Sequence, residues 1–222
     1  MRNSYLDALD HIVEEMVAMT RDVQDSVSKA TYSLLNADEA LAEQVIAGDA
    51  KVDALRVRIE DEVFELLALQ QPVAGDLRML FAAVRMVSDL ERMGDLSVHV
   101  AKVARLRMPE VACPAEIRPT VERMAEVAVK MVGAAAEIIA ERDVEAAQAL
   151  ERDDEEMDEL RRRSFRIMLS EDWEHGVEPA IDMALLGRYY ERIADHAVSL
   201  ARRVVYLVTG EPPASLELDT NL

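Results

Sequence analysis

The sequence predicts an all-α chain made of two tandem, sequence-related three-helix bundles, six long helices in all. Composition points there first. Aromatic residues are only 4% of the 222, while half the residues are hydrophobic, so the chain can fill a core but lacks the aromatic and β-branched mixture that strands favour. Seven glycines and seven prolines leave little material for turns, which makes the elements long. The third observation is an internal repeat that pairs the two halves of the chain.

The first helix is expected over about residues 4–35, where Leu6, Leu9, Ile12, Val13, Met16, Val23, Val27 and Leu34 recur at three- and four-residue steps. Asn36 then reads as an N-cap with Glu39 in capping-box position. The second helix turns Leu41, Val45, Val52, Leu55, Ile59, Val63 and Leu66 inward, and Gly48 sits inside it at some cost in propensity. Pro72 suits the first turn of a third helix that runs through Leu77, Leu80, Val84 and Val87 to about Arg107. Pro109, Pro114 and Pro119, around Cys113, mark a linker. Three more helices follow at about 116–141, 143–170 and 178–209, with Asp143 as a cap and Pro179 opening the last. This divides the chain into bundles at 1–110 and 111–210, with 211–222, including Pro212 and Pro213, as a flexible tail.

The halves resemble each other. Asp89-Leu90-Glu91-Arg92-Met93-Gly94-Asp95 near the end of the third helix answers to Tyr189-Tyr190-Glu191-Arg192-Ile193-Ala194-Asp195 in the sixth. Val52-Asp53-Ala54-Leu55 similarly answers to Met157-Asp158-Glu159-Leu160, at a slightly larger offset that fits a shorter connection in the second half. A duplicated bundle explains both matches. A single six-helix bundle is the alternative.

A formal charge of -19 argues against nonspecific binding to nucleic acid or to an anionic bilayer, which need clustered cations. The run Arg161-Arg162-Arg163 with Arg166 reads as a solvated face paired with Glu155, Glu156 and Glu159. One cysteine, Cys113, precludes an intramolecular disulfide and a Cys-rich zinc site. The N-terminus lacks the apolar core of a signal peptide, and no apolar run approaches the roughly 20 residues that cross a bilayer. A soluble, cytoplasmic protein is expected.

Chemistry is suggested by acidic pairs at spacing i, i+4: Asp49/Asp53 and Glu91/Asp95 in the first half, Asp154/Asp158 and Glu191/Asp195 in the second. Residues four apart stack on one helix face, so neighbouring helices can gather four carboxylates around one point. Such a site suits hard or borderline cations, among them iron, zinc, manganese, magnesium and calcium. With 44 acidic residues, chance alone supplies about nine such pairs. Recurrence at matched positions of a repeat is what sets these four apart. On the sixth helix the apolar stripe is Ile193, Ala197, Leu200, Val204 and Leu207, and Glu191 and Asp195 point away from it, which predicts surface clusters. No Glu-x-x-His occurs, against a buried di-iron centre. His196 is either an accessory ligand or a surface residue, His99 is within reach of the first cluster, and His11 and His175 show no convergent partners. Gly94 and Ala194 are expected to permit close helix approach.

Several stretches together resemble the PhoU family. Gln71-Pro72-Val73-Ala74-Gly75-Asp76-Leu77-Arg78 is similar to its loop and helix start, and the segments around Glu91-Arg92 and Glu191-Arg192-Ile193-Ala194-Asp195-His196-Ala197 are similar to the two copies of its signature. The first copy departs at Leu96-Ser97, where the family commonly has the His-Ala of the second. The resemblance implies two three-helix bundles, often as a homodimer, with metal clusters at Asp49, Asp53, Glu91 and Asp95 and at Asp154, Asp158, Glu191 and Asp195. It implies a metal-binding negative regulator of phosphate transport and of the phosphate-starvation response in phosphate homeostasis. The implied partners are the PstB-like ATPase of the phosphate ABC transporter and a PhoR-like sensor histidine kinase, with membranes met only through them. The competing reading is a metal-dependent hydrolase or oxidase, but no P-loop, Gly-x-Ser-x-Gly or Cys/His nucleophile pairing is present. A catalytic role is therefore not expected.

Overall fold

Six helices and no strand form the described part of the chain, residues 2–211 of a computed structural model, with side chains from Tyr5 onward and that of Asp153 set aside. The first is α1 (Arg2–Asn36), whose stripe Leu9, Ile12, Met16, Val23, Val27 and Leu34 is buried as its periodicity requires, while Leu6 stays exposed. Asn36 does not cap the next helix. It ends α1, donating its side-chain amide to Tyr32 O at 2.8 Å. Asp38 caps α2 (Glu39–Gln70), accepting from the Leu41 amide at 3.0 Å. The short Asp carboxylate, two residues on, occupies the position the capping-box pattern had given to Asn36.

Pro72 lies in the connection, and α3 (Ala74–Arg107) begins two residues later. The Pro-rich segment leads to α4 (Arg118–Glu141), which takes Pro119 into its first turn. Cys113 is buried in this linker, and burial pushes its thiol up to about 12, leaving it a packing group rather than a nucleophile. Asp143 caps α5 (Val144–Met168) by accepting from the Ala146 amide at 2.9 Å. The last helix, α6 (Val177–Thr209), ends at Gly210 with φ 77°, a left-handed cap open to glycine. Of the tail expected over 211–222, all but Glu211 lies outside the described residues.

Helices α1, α2 and α3 pack on one another, as do α4, α5 and α6, and the halves join through α1 on α4 and α3 on α6. The buried apolar core runs through both halves without a break. Helices α3 and α6 each touch three others, so both bury far more than one stripe. On α6, Ile193, Ala197, Leu200 and Val204 form one buried row, and Gly187, Ala194, Val198 and Ala201 form a second. Polar ties cross the seam: the Tyr190 and Thr31 hydroxyls meet at 2.8 Å, and Gln24 donates to Val129 O at 3.1 Å. A Cβ on Gly133 would stand 2.3 Å from the Gln24 amide nitrogen, so a larger residue there would displace the Gln24 side chain from its bond to Val129 O.

Candidate metal centres

The eight carboxylates singled out by spacing do gather into two quartets, each built from a pair of neighbouring helices. In the first half, Asp49 and Asp53 come from α2, and Glu91 and Asp95 from α3. Gly94 sets their approach: a Cβ there would lie 3.3 Å from Val52 Cγ1 and 3.4 Å from Asp49 Oδ1. Burial holds the Asp49 carboxyl above its usual range, and Asp95, Asp53 and Glu91 add repulsion in that order. In the second half, Asp154 and Asp158 come from α5, and Glu191 and Asp195 from α6. Asp154 is pushed up to about 6, first by burial, then by Asp195, Asp158 and Glu191. Asp195 is raised too, by burial and Glu191, with Arg188 and His196 opposing. Carboxyls that resist ionisation beside one another mark a deficit of positive charge, which is the electrostatic condition a cation relieves. The donor set therefore fits a hard or borderline metal ion.

The expectation of purely surface clusters needs correction at Glu191, which is only 8% exposed. The single apolar stripe used to place it neglects the second buried row of α6, which faces α5. Arg161 from α5 donates to Glu191 at 2.7 Å, and Arg188 pairs with the same carboxylate at short range. Arg161 thus reaches across to α6 instead of joining a solvated ladder. Its neighbours behave more as expected, with Arg162 and Arg166 both paired to Glu159, whereas Glu156 is taken by Arg123 of α4.

The histidines also find partners that spacing did not reveal. His196 Nδ1 lies 3.1 Å from Asp89 Oδ1, and Arg203 binds the other oxygen of the same aspartate. Asp89 therefore clasps α6 to α3, which directs His196 towards the seam. His99 stacks on Tyr189 with ring centroids 5.3 Å apart, again between α3 and α6. His175 meets Glu116 at 2.8 Å. Against expectation, His11 has convergent partners as well. Among the described residues, His11, Glu15 and Glu62 form the one group of three whose candidate ligand atoms all lie within 4.8 Å of one another. The quartets, with Glu91 and Asp95 turned towards Arg92 and Glu191 towards two arginines, do not close to that distance. The His11/Glu15 spacing was a legible signal; the contribution of Glu62 from another helix was not.

Duplicated helical bundles with matched carboxylate quartets on adjacent helices make this an all-α, two-repeat protein. The PhoU domain model matches residues 16–104 and again 121–204, one copy on each half. The chain is 44% identical over 213 residues to phosphate-specific transport system accessory protein PhoU homolog 2 of Mycobacterium tuberculosis, covering 96% of this chain and 100% of that protein. It is 40% identical over 220 residues to homolog 1 of the same organism, covering 99% and 100%. The crystal structure of PhoU from Pseudomonas aeruginosa superposes with a TM-score of 0.86 at 30% identity, over 93% of this chain and 100% of that one. This chain belongs to the PhoU family.

Proposed function

We propose that this protein is a cytoplasmic regulatory adaptor of phosphate homeostasis, acting with a phosphate-specific transport system to restrain phosphate uptake and the starvation response. The observation that carries the reading is the match of both halves to the PhoU domain, together with full-length relatives named as phosphate-specific transport system accessory proteins. Among the described residues no helix is long and apolar enough to cross a membrane, which accords with action through membrane-associated partners. Those partners are a PstB-like transporter ATPase and a PhoR-like sensor kinase, and the working form is a homodimer. Its role is non-catalytic, with residues 1–110 and 111–210 as the two repeat units.

In this reading, Asp49, Asp53, Glu91 and Asp95 hold one metal centre and Asp154, Asp158, Glu191 and Asp195 the other, with iron, zinc, manganese or magnesium as candidate ions. A bound cation supplies the positive charge that each quartet lacks. The carboxylates on α2 and α3, or on α5 and α6, would then tie two helices together instead of repelling across them. The surrounding acidic surface favours docking onto basic patches of a partner.

A phosphate-responsive reporter read in phosphate-rich medium, with and without the gene, tests the reading. Constitutive expression on deletion, restored by the intact gene, is expected. Repression that persists in a strain freed of every paralogue overturns it.

A further inference from the structure

We propose that His11, Glu15 and Glu62 form an additional transition-metal site, between α1 and α2 and separate from the carboxylate quartets. His11 and Glu15 are i, i+4 neighbours on α1, and Glu62 projects from α2, so the site joins the two helices. Their candidate ligand atoms all lie within 4.8 Å of one another, with His11 Nε2 at 3.8 Å from Glu15 Oε1. Around zinc with bonds of about 2.0–2.1 Å, tetrahedral ligand atoms sit about 3.3 Å apart, so side-chain rotations of about 1 Å close the set.

Glu15 supplies the independent reason to expect a ligand. It is 8% exposed, and its Oε2 is buried without any hydrogen-bond partner. A carboxylate oxygen buried without a hydrogen-bond partner is a position that coordination would satisfy. Arg58, four residues before Glu62 on α2, pairs with Glu15 Oε1 at short range and accounts for only one of the two oxygens. Arg58 is 55% exposed, so it can swing outward when the carboxylate turns to a metal.

The donor set selects the class of ion. One imidazole with two carboxylates suits zinc, cobalt, manganese or ferrous iron over calcium and magnesium, which prefer oxygen alone. Three protein ligands leave room for water to complete the sphere. The second half carries no copy: aligned from the starts of the two family segments, Glu15 and Glu62 correspond to Thr120 and Ile167. This site therefore belongs to the first bundle, outside the repeated signature.

Full-length protein, stripped with chelator and crystallised with cobalt(II), tests the assignment through anomalous scattering at the cobalt edge. A peak touching His11, Glu15 and Glu62 is expected in the intact protein, with loss of that peak and of one cobalt equivalent in solution in His11→Ala. His11 is more than half exposed, so this variant should fold. Glu62→Gln should behave the same way, while Asp49→Asn with Asp95→Asn should leave the peak in place. No peak at these residues in the intact protein, or a peak and stoichiometry that survive both His11→Ala and Glu62→Gln, overturns the proposal.

Discussion

The two carboxylate quartets descend from one pattern but have been balanced differently. In the second half, Glu191 is buried between two guanidiniums, Arg161 from α5 and Arg188 from its own helix. In the first half, Arg56 stands where Arg161 does in the repeat, yet it lies 3.6 Å from Glu60, its own helix neighbour. Ser88 replaces Arg188. Among the described residues Glu91 pairs with the adjacent Arg92 alone, at 3.6 Å, and Arg92 also meets Asp95 at 3.2 Å. Glu91 thus keeps more of its charge unopposed than Glu191, whose charge is spent in fixing helix to helix. Duplicated acidic motifs can therefore diverge in one glutamate, left freer in the first copy and tied to two internal cations in the second.

The sharpest way to break this contrast is to remove the arginines. Arg161→Ala leaves a buried carboxylate with a single partner and should lower stability by about 2 kcal/mol, the range of hydrogen bonds to charged groups. Arg56→Ala removes only a long contact along one helix and should cost about 0.5 kcal/mol. Urea denaturation of both variants checks the asymmetry, and equal losses would dissolve it.

If the freer glutamate decides the order of filling, divalent metal should enter the first quartet first, through Glu91. In calorimetric titration, Asp49→Asn with Asp95→Asn should weaken the tighter binding event at least about tenfold, roughly 1.4 kcal/mol. Asp154→Asn with Asp195→Asn should leave that event in place. The reverse order of loss would show that the arginines of the second half organise a metal site rather than compete with it.

The position before each signature glutamate sharpens the comparison further. Tyr190 sends its hydroxyl to Thr31 across the seam, while its counterpart Leu90 is purely apolar and fully buried. Thr31 retains a 2.8 Å bond to Val27 O, so Tyr190→Phe should cost about 1 kcal/mol by thermal or chemical unfolding.

A further contrast is a pH dependence at Asp154, in the second quartet. Its folded carboxyl sits at about 6 against an ordinary value of 3.8, so the folded state holds a proton that the unfolded state has released between those values. Stability in metal-free buffer should fall as pH rises through that window and level off above about 6. Asp154→Asn should remove this component, so its melting temperature relative to the parent should climb between pH 4 and 7 and then stay level. A difference that does not change with pH would mean that the carboxyl is not raised.

Much of the fold could be read from the chain. The stripe from Leu9 to Leu34, the cap at Asp143 and the repeat between Glu91 and Glu191 place helices and halves without tertiary information. Boundaries were harder: Asn36 and Pro72 looked like helix starts by residue type, whereas Asp38 and Ala74 serve, because turn geometry chooses among several competent residues. At the sites, spacing found all eight quartet carboxylates but neither their arginine partners nor Glu62 beside His11 and Glu15.

What the sequence determined by itself was periodicity, and with it the class of fold, the order of helices and the pairing of carboxylates along each helix. Tertiary structure alone decided which charges meet between helices. A helix repeats every 3.6 residues whatever surrounds it, so its faces are legible in one dimension. How many of those faces are buried depends on the number of neighbours. For α6 that number is three, which buries Glu191 and brings Arg161 to it.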